Sequence, residues 1–162
     1  MVVYMGVDPG SKGALVVIHH YESIDESKFD VIDFDKVDMD TVATLVEFAP
    51  SVGRVYAMME LVTGSVGEND SGRATRMFQF GREYGRIEGI FVGRVKLDLV
   101  APTTWQKGLG IKPIKGETYS QRKRRYKLEA QKLFPNVKVT LAIADALLIA
   151  YYCKQLKSGA LA

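Results

Sequence analysis

Three apolar, β-rich segments separated only by turns open this chain, and they constrain its fold more than anything that follows. Val2 to Asp8, Ala14 to His19 and Phe29 to Phe34 are rich in Val, Ile, Tyr and Phe, the residues that suit a pleated, half-buried surface. Asp8-Pro9-Gly10-Ser11-Lys12-Gly13 joins the first two, and such a cluster turns a chain sharply. The connections are tight turns, so the three strands are expected to pair antiparallel as a meander. Beyond them helices and strands alternate. Asp40 is the expected cap of a helix from Thr41 to about Phe48, ended by Pro50 and Gly53. Arg54 to Met59 reads as a fourth strand that delivers Glu60. A long helix from about Arg73 to Val92 and a fifth strand, Val95 to Val100, come next. Thr103 to Gly108 suggests a short helix, Tyr119 to Phe134 a basic helix stopped by Pro135, and Leu141 to Lys157 the last helix. The pattern predicts an α/β fold: a mixed five-stranded sheet, three antiparallel strands then parallel ones, flanked by helices. A chain of 162 residues fills one such domain, taken here as 1–162.

Three acids stand out against apolar surroundings. Asp8 ends the first strand, Glu60 follows Val55-Tyr56-Ala57-Met58-Met59, and Asp145 lies within Ala144-Asp145-Ala146-Leu147-Leu148-Ile149-Ala150. An unpaired carboxylate is expensive to bury, so each needs a cation, an ion pair or a special role. Singly each also fits a bland reading: a turn cap for Asp8, an exposed strand end for Glu60, a wet helix side for Asp145. Together they form a set of hard oxygen ligands suited to Mg²⁺ or Mn²⁺. Two such ions can hold the attacking and leaving oxygens of a phosphodiester. The adjacent His19 and His20 read as surface residues.

Charge is divided unevenly. Met1 to Glu60 carries 4 Lys/Arg against 11 Asp/Glu, a net −7; the remainder carries 18 against 8, a net +10, giving the overall +3. A basic second half suggests a polyanion such as nucleic acid. The densest run is Arg122, Lys123, Arg124, Arg125 and Lys127, just after a loop holding Lys112 and Lys115. These side chains are expected on phosphates, where they recognise charge and shape and not base sequence. The loop from Gly64 to Gly72, with Arg73 and Arg76, is also expected to reach the nucleic acid. On the long helix Gly81, Gly85 and Gly89 share one face, which weakens a helix unless another backbone packs closely there. Phe78 and Phe80 are expected in the core.

The order Asp8-Pro9-Gly10, Glu60 and Ala144-Asp145-Ala146-Leu147-Leu148-Ile149-Ala150 resembles the RuvC-like Holliday junction resolvases, especially phage and organellar members. Val100-Ala101-Pro102-Thr103-Thr104-Trp105-Gln106-Lys107 is similar to that family's Pro-x-x-Trp segment, and Lys123 to a lysine preceding Phe-Pro, here Phe134-Pro135. The resemblance spans nearly the whole chain. It implies an RNase H-like sheet and a Mg²⁺-dependent crossover junction endodeoxyribonuclease of DNA recombination and repair, with Mn²⁺ able to substitute. It also implies two ions per active site and a homodimer that nicks opposed strands of a four-way junction. Asp8 would bridge the ions, Glu60 and Asp145 would complete their shells, and Lys123 would lie near the scissile phosphate. Phe78 or Phe80 would be available to wedge junction bases. One departure stands: where the family carries a fourth acid or a histidine, one turn before Asp145 on the same helical face, this chain has Leu141 and Ala142. A water in the gap, a weakened natural variant and a deliberately altered chain all fit. Two alternatives remain: a related nuclease acting on flaps, forks or RNA–DNA hybrids, and a junction binder with weakened catalysis.

Other classes fit less well. A nucleotide-binding protein of the actin or sugar-kinase type opens with a similar Asp-x-Gly turn, but it needs a second lobe, so no nucleotide cofactor is expected. No apolar run is long enough to span a bilayer, and no membrane partner is expected. The first residues lack the basic region of a secretory signal. The single cysteine, Cys153, cannot form an internal disulfide, which points to a reducing cytoplasm, the host's if the chain is phage-encoded.

Overall fold

The description rests on a computed structural model and covers residues 1–21, 27–62 and 72–161. Five strands form one sheet: β1 (Val2–Asp8), β2 (Ala14–His20), β3 (Ser27–Asp33), β4 (Arg54–Glu60) and β5 (Leu97–Val100), in the order β3-β2-β1-β4-β5. β1–β2 and β2–β3 are antiparallel, and β1–β4 and β4–β5 are parallel. The expected mixed sheet is therefore present. Its helices are α1 (Met39–Val52), α2 (Arg73–Phe91), α3 (Pro102–Gly108), α4 (Tyr119–Leu133) and α5 (Ala144–Lys157).

The two-residue period of β1 divides the core. Val3, Met5 and Val7 face one way, into a cluster with Val42 and Val46 of α1 and Ile87 and Phe91 of α2. Tyr4 faces the other way, into a cluster with Trp105 of α3, Tyr126 of α4 and Leu147 to Ala150 of α5. Gly6 lies on that second face, directly under α5. A Cβ at Gly6 would land on the backbone of Ala146 and Ala150. Its absence lets α5 lie against the central strand, which brings Asp145 beside Asp8, two residues further along the same face of β1.

Several boundaries differ from the sequence expectation, each for a local reason. Asp38, not Asp40, caps α1: its Oδ1 accepts from the Thr41 backbone N–H at 2.8 Å and its Oδ2 from the Thr41 hydroxyl at 3.0 Å. Pro50 sits inside α1 without ending it. Its missing N–H costs one bond in the last turn, where the buried Ala49 still anchors the helix. Val95 does not start β5, because its N–H closes the end of α2 on Phe91 O at 3.1 Å. The last helix starts at Ala144, and Leu141 to Ile143 form a turn before it.

The glycine expectation also needs correction. A Cβ at Gly81, Gly85 or Gly89 would meet nothing within 4 Å among the described residues, so no described element packs closely on that face. Phe78 is 68% exposed and not in the core, because its side of α2 faces away from the sheet, and Phe80 is half-buried at the wall of a surface cleft, outside both core clusters. Among the described residues no helix is long and apolar enough to cross a membrane.

Candidate metal centre and nucleic-acid interface

Three elements deliver the three acids to one place. The parallel register pairs Val7 with Met59, so Asp8 and Glu60 follow as neighbours at the carboxyl ends of adjacent strands. Asp145 enters from the first turn of α5, where the helix dipole favours a carboxylate. They line a cleft of about 640 Å³ with the Pro9–Gly13 turn, Phe80, Tyr119 and Lys123. The turn is pinned by Gly13 N–H donating to Gly10 O at 3.0 Å, and Gly10, at φ +122°, adopts a conformation that side chains rarely tolerate.

Charge in the cleft is unbalanced. Lys123 donates to Asp145 Oδ2 at 2.7 Å, and its Nζ lies 3.6 Å from Asp8 Oδ2. Burial works against the lysine's charge, but the Asp145 and Asp8 carboxylates outweigh it and raise its pKa. One ammonium does not satisfy three acids. Burial first, then the nearby Asp145 charge, pushes Asp8 up to about 7, against the opposing pull of Lys123. Burial also raises Glu60 and Asp145, opposed by Trp105 in one case and by Lys123 in the other. Asp145 is only 5% exposed, and its Oδ1 is buried without a hydrogen-bond partner among the described residues. An orphaned carboxylate oxygen beside two further carboxylates is a donor set that fits a hard divalent cation. Among the described residues no three Asp, Glu, His or Cys side chains are already arranged around one point to hold an ion. Lys123 draws Asp8 and Asp145 together, while Trp105 holds Glu60.

Trp105 is the residue that sequence reasoning left without a role. It is wholly buried, and its Nε1–H donates to Glu60 Oε2 at 2.8 Å. It thereby fixes one oxygen of Glu60. Its ring stands edge-on to Tyr126, centroids 5.5 Å apart, which ties α3 to α4. The sequence signal was available: this is the chain's only tryptophan, in a helix that starts at Pro102 just beyond β5.

The basic residues fall into distinct settings. Arg122 lines the acidic cleft, and Arg124, Lys115 and Lys112 are exposed nearby in sequence. Lys127 lines a separate groove with Lys12 and Lys138. Arg125 is engaged within the fold, its guanidinium donating twice to Glu117 at 2.7 Å. Arg76 is exposed at the start of α2, whereas the side chain of Arg73 and the loop residues before Gly72 lie outside the described residues. Leu141 and Ala142 lie in the turn before α5 and line the Lys127 groove; neither is among the residues that line the cleft. Among the described residues lining the cleft, Asp8, Glu60 and Asp145 are the only acids. His19 is half-buried and bonded to Asp30 at 2.7 Å, and His20 is half-buried with an unpartnered Nδ1; neither is a bare surface histidine.

No protein-family model matches the chain, and no curated protein matches its sequence. Solved structures do. RuvC of Thermus thermophilus matches with a TM-score of 0.55 at 14% identity, covering 97% of this chain and 96% of that one. T. thermophilus RuvC in complex with Holliday junction substrate matches with a TM-score of 0.61 at 14% identity, covering 98% and 97%. The Fowlpox virus resolvase in complex with substrate Holliday junction DNA gives a TM-score of 0.45 at 17% identity, covering 96% and 97%. The chain has the RNase H-like fold of RuvC.

Proposed function

We propose that this chain is an endonuclease that cuts four-way DNA junctions, a crossover junction endodeoxyribonuclease acting in DNA recombination and repair. The observation that carries the reading is the trio of half-buried Asp8 and Glu60 and buried Asp145, underbalanced by Lys123, at the carboxyl ends of the inner strands β1 and β4. A T. thermophilus RuvC structure with the same fold was solved with Holliday junction substrate, which supports branched DNA as the partner here. Mg²⁺, with Mn²⁺ able to substitute and two ions expected per site, would activate water and neutralise charge on the phosphate. Asp8, Glu60 and Asp145 would hold the ions. Trp105 orients Glu60 for that task. Lys123, the cation nearest the acids, is positioned to meet the negative charge that grows on a phosphate during cleavage.

Arg122, Arg124, Lys112, Lys115 and Lys127, with Arg73 and Arg76 from the start of α2, would grip the DNA backbone. Arg125 contributes chiefly by holding α4 to Glu117. The bare Gly81, Gly85 and Gly89 face and the exposed Phe78 support a homodimer through α2, which suits a substrate with two equivalent cuts. The buried Cys153 thiol, pushed up to about 12 by its burial, is consistent with a reducing cytoplasm.

One observation favours a second reading. The described cleft holds three acids and no fourth, which fits a protein that binds junctions and cuts them weakly. Asp8→Asn against the unaltered protein tests the proposal. Loss of junction cleavage by about a thousandfold or more, with binding kept, supports the metal site. Equal cleavage by both refutes it, and absence of cleavage by both favours the binding reading.

A further inference from the structure

A second cavity, of about 340 Å³, adjoins the acidic cleft and shares Thr103 and Gln106 with it. Its walls are mainly apolar, from the buried Ile111 and the exposed Pro113, and the exposed Lys107 and Lys112 border it. The cavity is formed in advance by a tight backbone wrap at the end of α3. Leu109 N–H donates to Trp105 O at 3.0 Å, Gly110 N–H to Lys107 O at 3.0 Å and Ile111 N–H to Gln106 O at 2.8 Å. Gly110 makes the turn possible with φ +71°.

We propose that this slot receives one unstacked nucleobase of the strand being cut, from a nucleotide next to the scissile phosphate. The inference rests on the nuclease reading and adds a base-binding subsite to it. Four features argue for that occupant. The slot opens on the acids through a shared wall, so a strand with a phosphate over Asp8 and Asp145 has a neighbouring base within reach. Its volume is at the low end for small-ligand sites and has room for one base. Its few polar groups suit a base: the Gln106 amide offers a donor and an acceptor, and Thr103 adds a hydroxyl. Lys107 and Lys112 supply positive charge where the flanking phosphates must pass. Branched DNA also presents bases that are already partly unstacked, which lowers the cost of extrusion. The subsite would give the cut a base preference near the scissile bond.

The test uses the whole protein and four-way junctions carrying 2-aminopurine at one position at a time on either side of the cut, with Ca²⁺ to hold the complex uncut. Pro113→Cys places a thiol at the slot. Cys153 is fully buried, so the new thiol is the one that reacts with a bulky maleimide. The expected result is a several-fold rise in fluorescence at a single position, abolished when Cys replacing Pro113 is labelled, while the junction stays bound. Unlabelled Pro113→Cys, folded and binding, serves as its own control. No bright position in a junction that is bound, and cut when Mg²⁺ is supplied, overturns the slot and leaves the nuclease reading standing. A bright base that survives labelling also overturns it, by placing the unstacked base elsewhere. Failure to bind any branched DNA overturns both.

Discussion

Replacing Asp8 by Asn should stabilise the metal-free protein, and increasingly so as the pH rises. Asp8 ionises near 7 in the fold against an ordinary value of 3.8, because burial and the Asp145 charge outweigh Lys123. A carboxyl raised in this way stabilises the fold most below pH 3.8, where it is protonated in both states. That stability is lost progressively as the pH climbs through about 7. Each pH unit in the interval is worth about 1.4 kcal/mol. The raised Asp8 therefore costs the fold about 1.5 kcal/mol at pH 5, where only the unfolded chain has it ionised, and about 4 kcal/mol above pH 7.5. Asn has nearly the shape of the protonated acid and never ionises, so the variant escapes that cost. For a chain of this size about 4 kcal/mol corresponds to a rise in Tm of roughly 10 °C. Calorimetric melting of both proteins in chelator, from pH 5 to pH 8.5, measures the gap. It should widen with pH and narrow when millimolar Mg²⁺ is added, because the cation relieves the acid and finds one ligand fewer in the variant. A gap of constant size across that range, or a variant less stable at pH 8.5, would refute the electrostatic account of the cleft.

Other expected outcomes follow from the same geometry. Trp105→Phe keeps most of the buried ring but removes the donor to Glu60, so metal half-saturation should rise by about tenfold or more, as when outer-shell partners of metal ligands are lost; calorimetric titration with Mn²⁺ reads it, and unchanged affinity would deny Trp105 that role. Gly6→Ala forces a methyl group into the backbone of α5 and should cost about 3 kcal/mol, with any folded fraction showing weaker metal binding as Asp145 is pushed from Asp8; urea unfolding checks the first and titration the second. Reversing charge at Arg122 and Arg124 should weaken junction binding and lower the slope of log affinity against log salt by about 2; affinities measured at a series of salt concentrations decide it.

Much of this arrangement was legible in the chain because local and global signals agree. The Asp8-Pro9-Gly10 turn could end only an apolar strand, and both the strand and its antiparallel partner are present. Leu141 to Ala150 offers so little polar surface that a wet helix side has little to support it, and Asp145 does face inward. What stayed hidden depends on distance in sequence. The bond from Trp105 to Glu60 crosses 45 residues, and the seat of Lys123 between Asp8 and Asp145 depends on how α4 and α5 pack. The start of α5 was misjudged because Leu141, Ala142 and Ile143 continue the apolar pattern of the helix without a capping side chain. Arg125 looked like its basic neighbours, yet Glu117, eight residues earlier across the N-terminal cap of α4, claims it.

The most direct test of the central claim is strand cleavage of an end-labelled four-way junction beside linear duplex, flap and fork, in Mg²⁺, Mn²⁺ and chelator. The account predicts paired nicks at symmetric positions in the junction, little cutting of duplex, and complete loss with chelator. Junction cleavage that persists in chelator, or equal cutting of linear duplex, would contradict it.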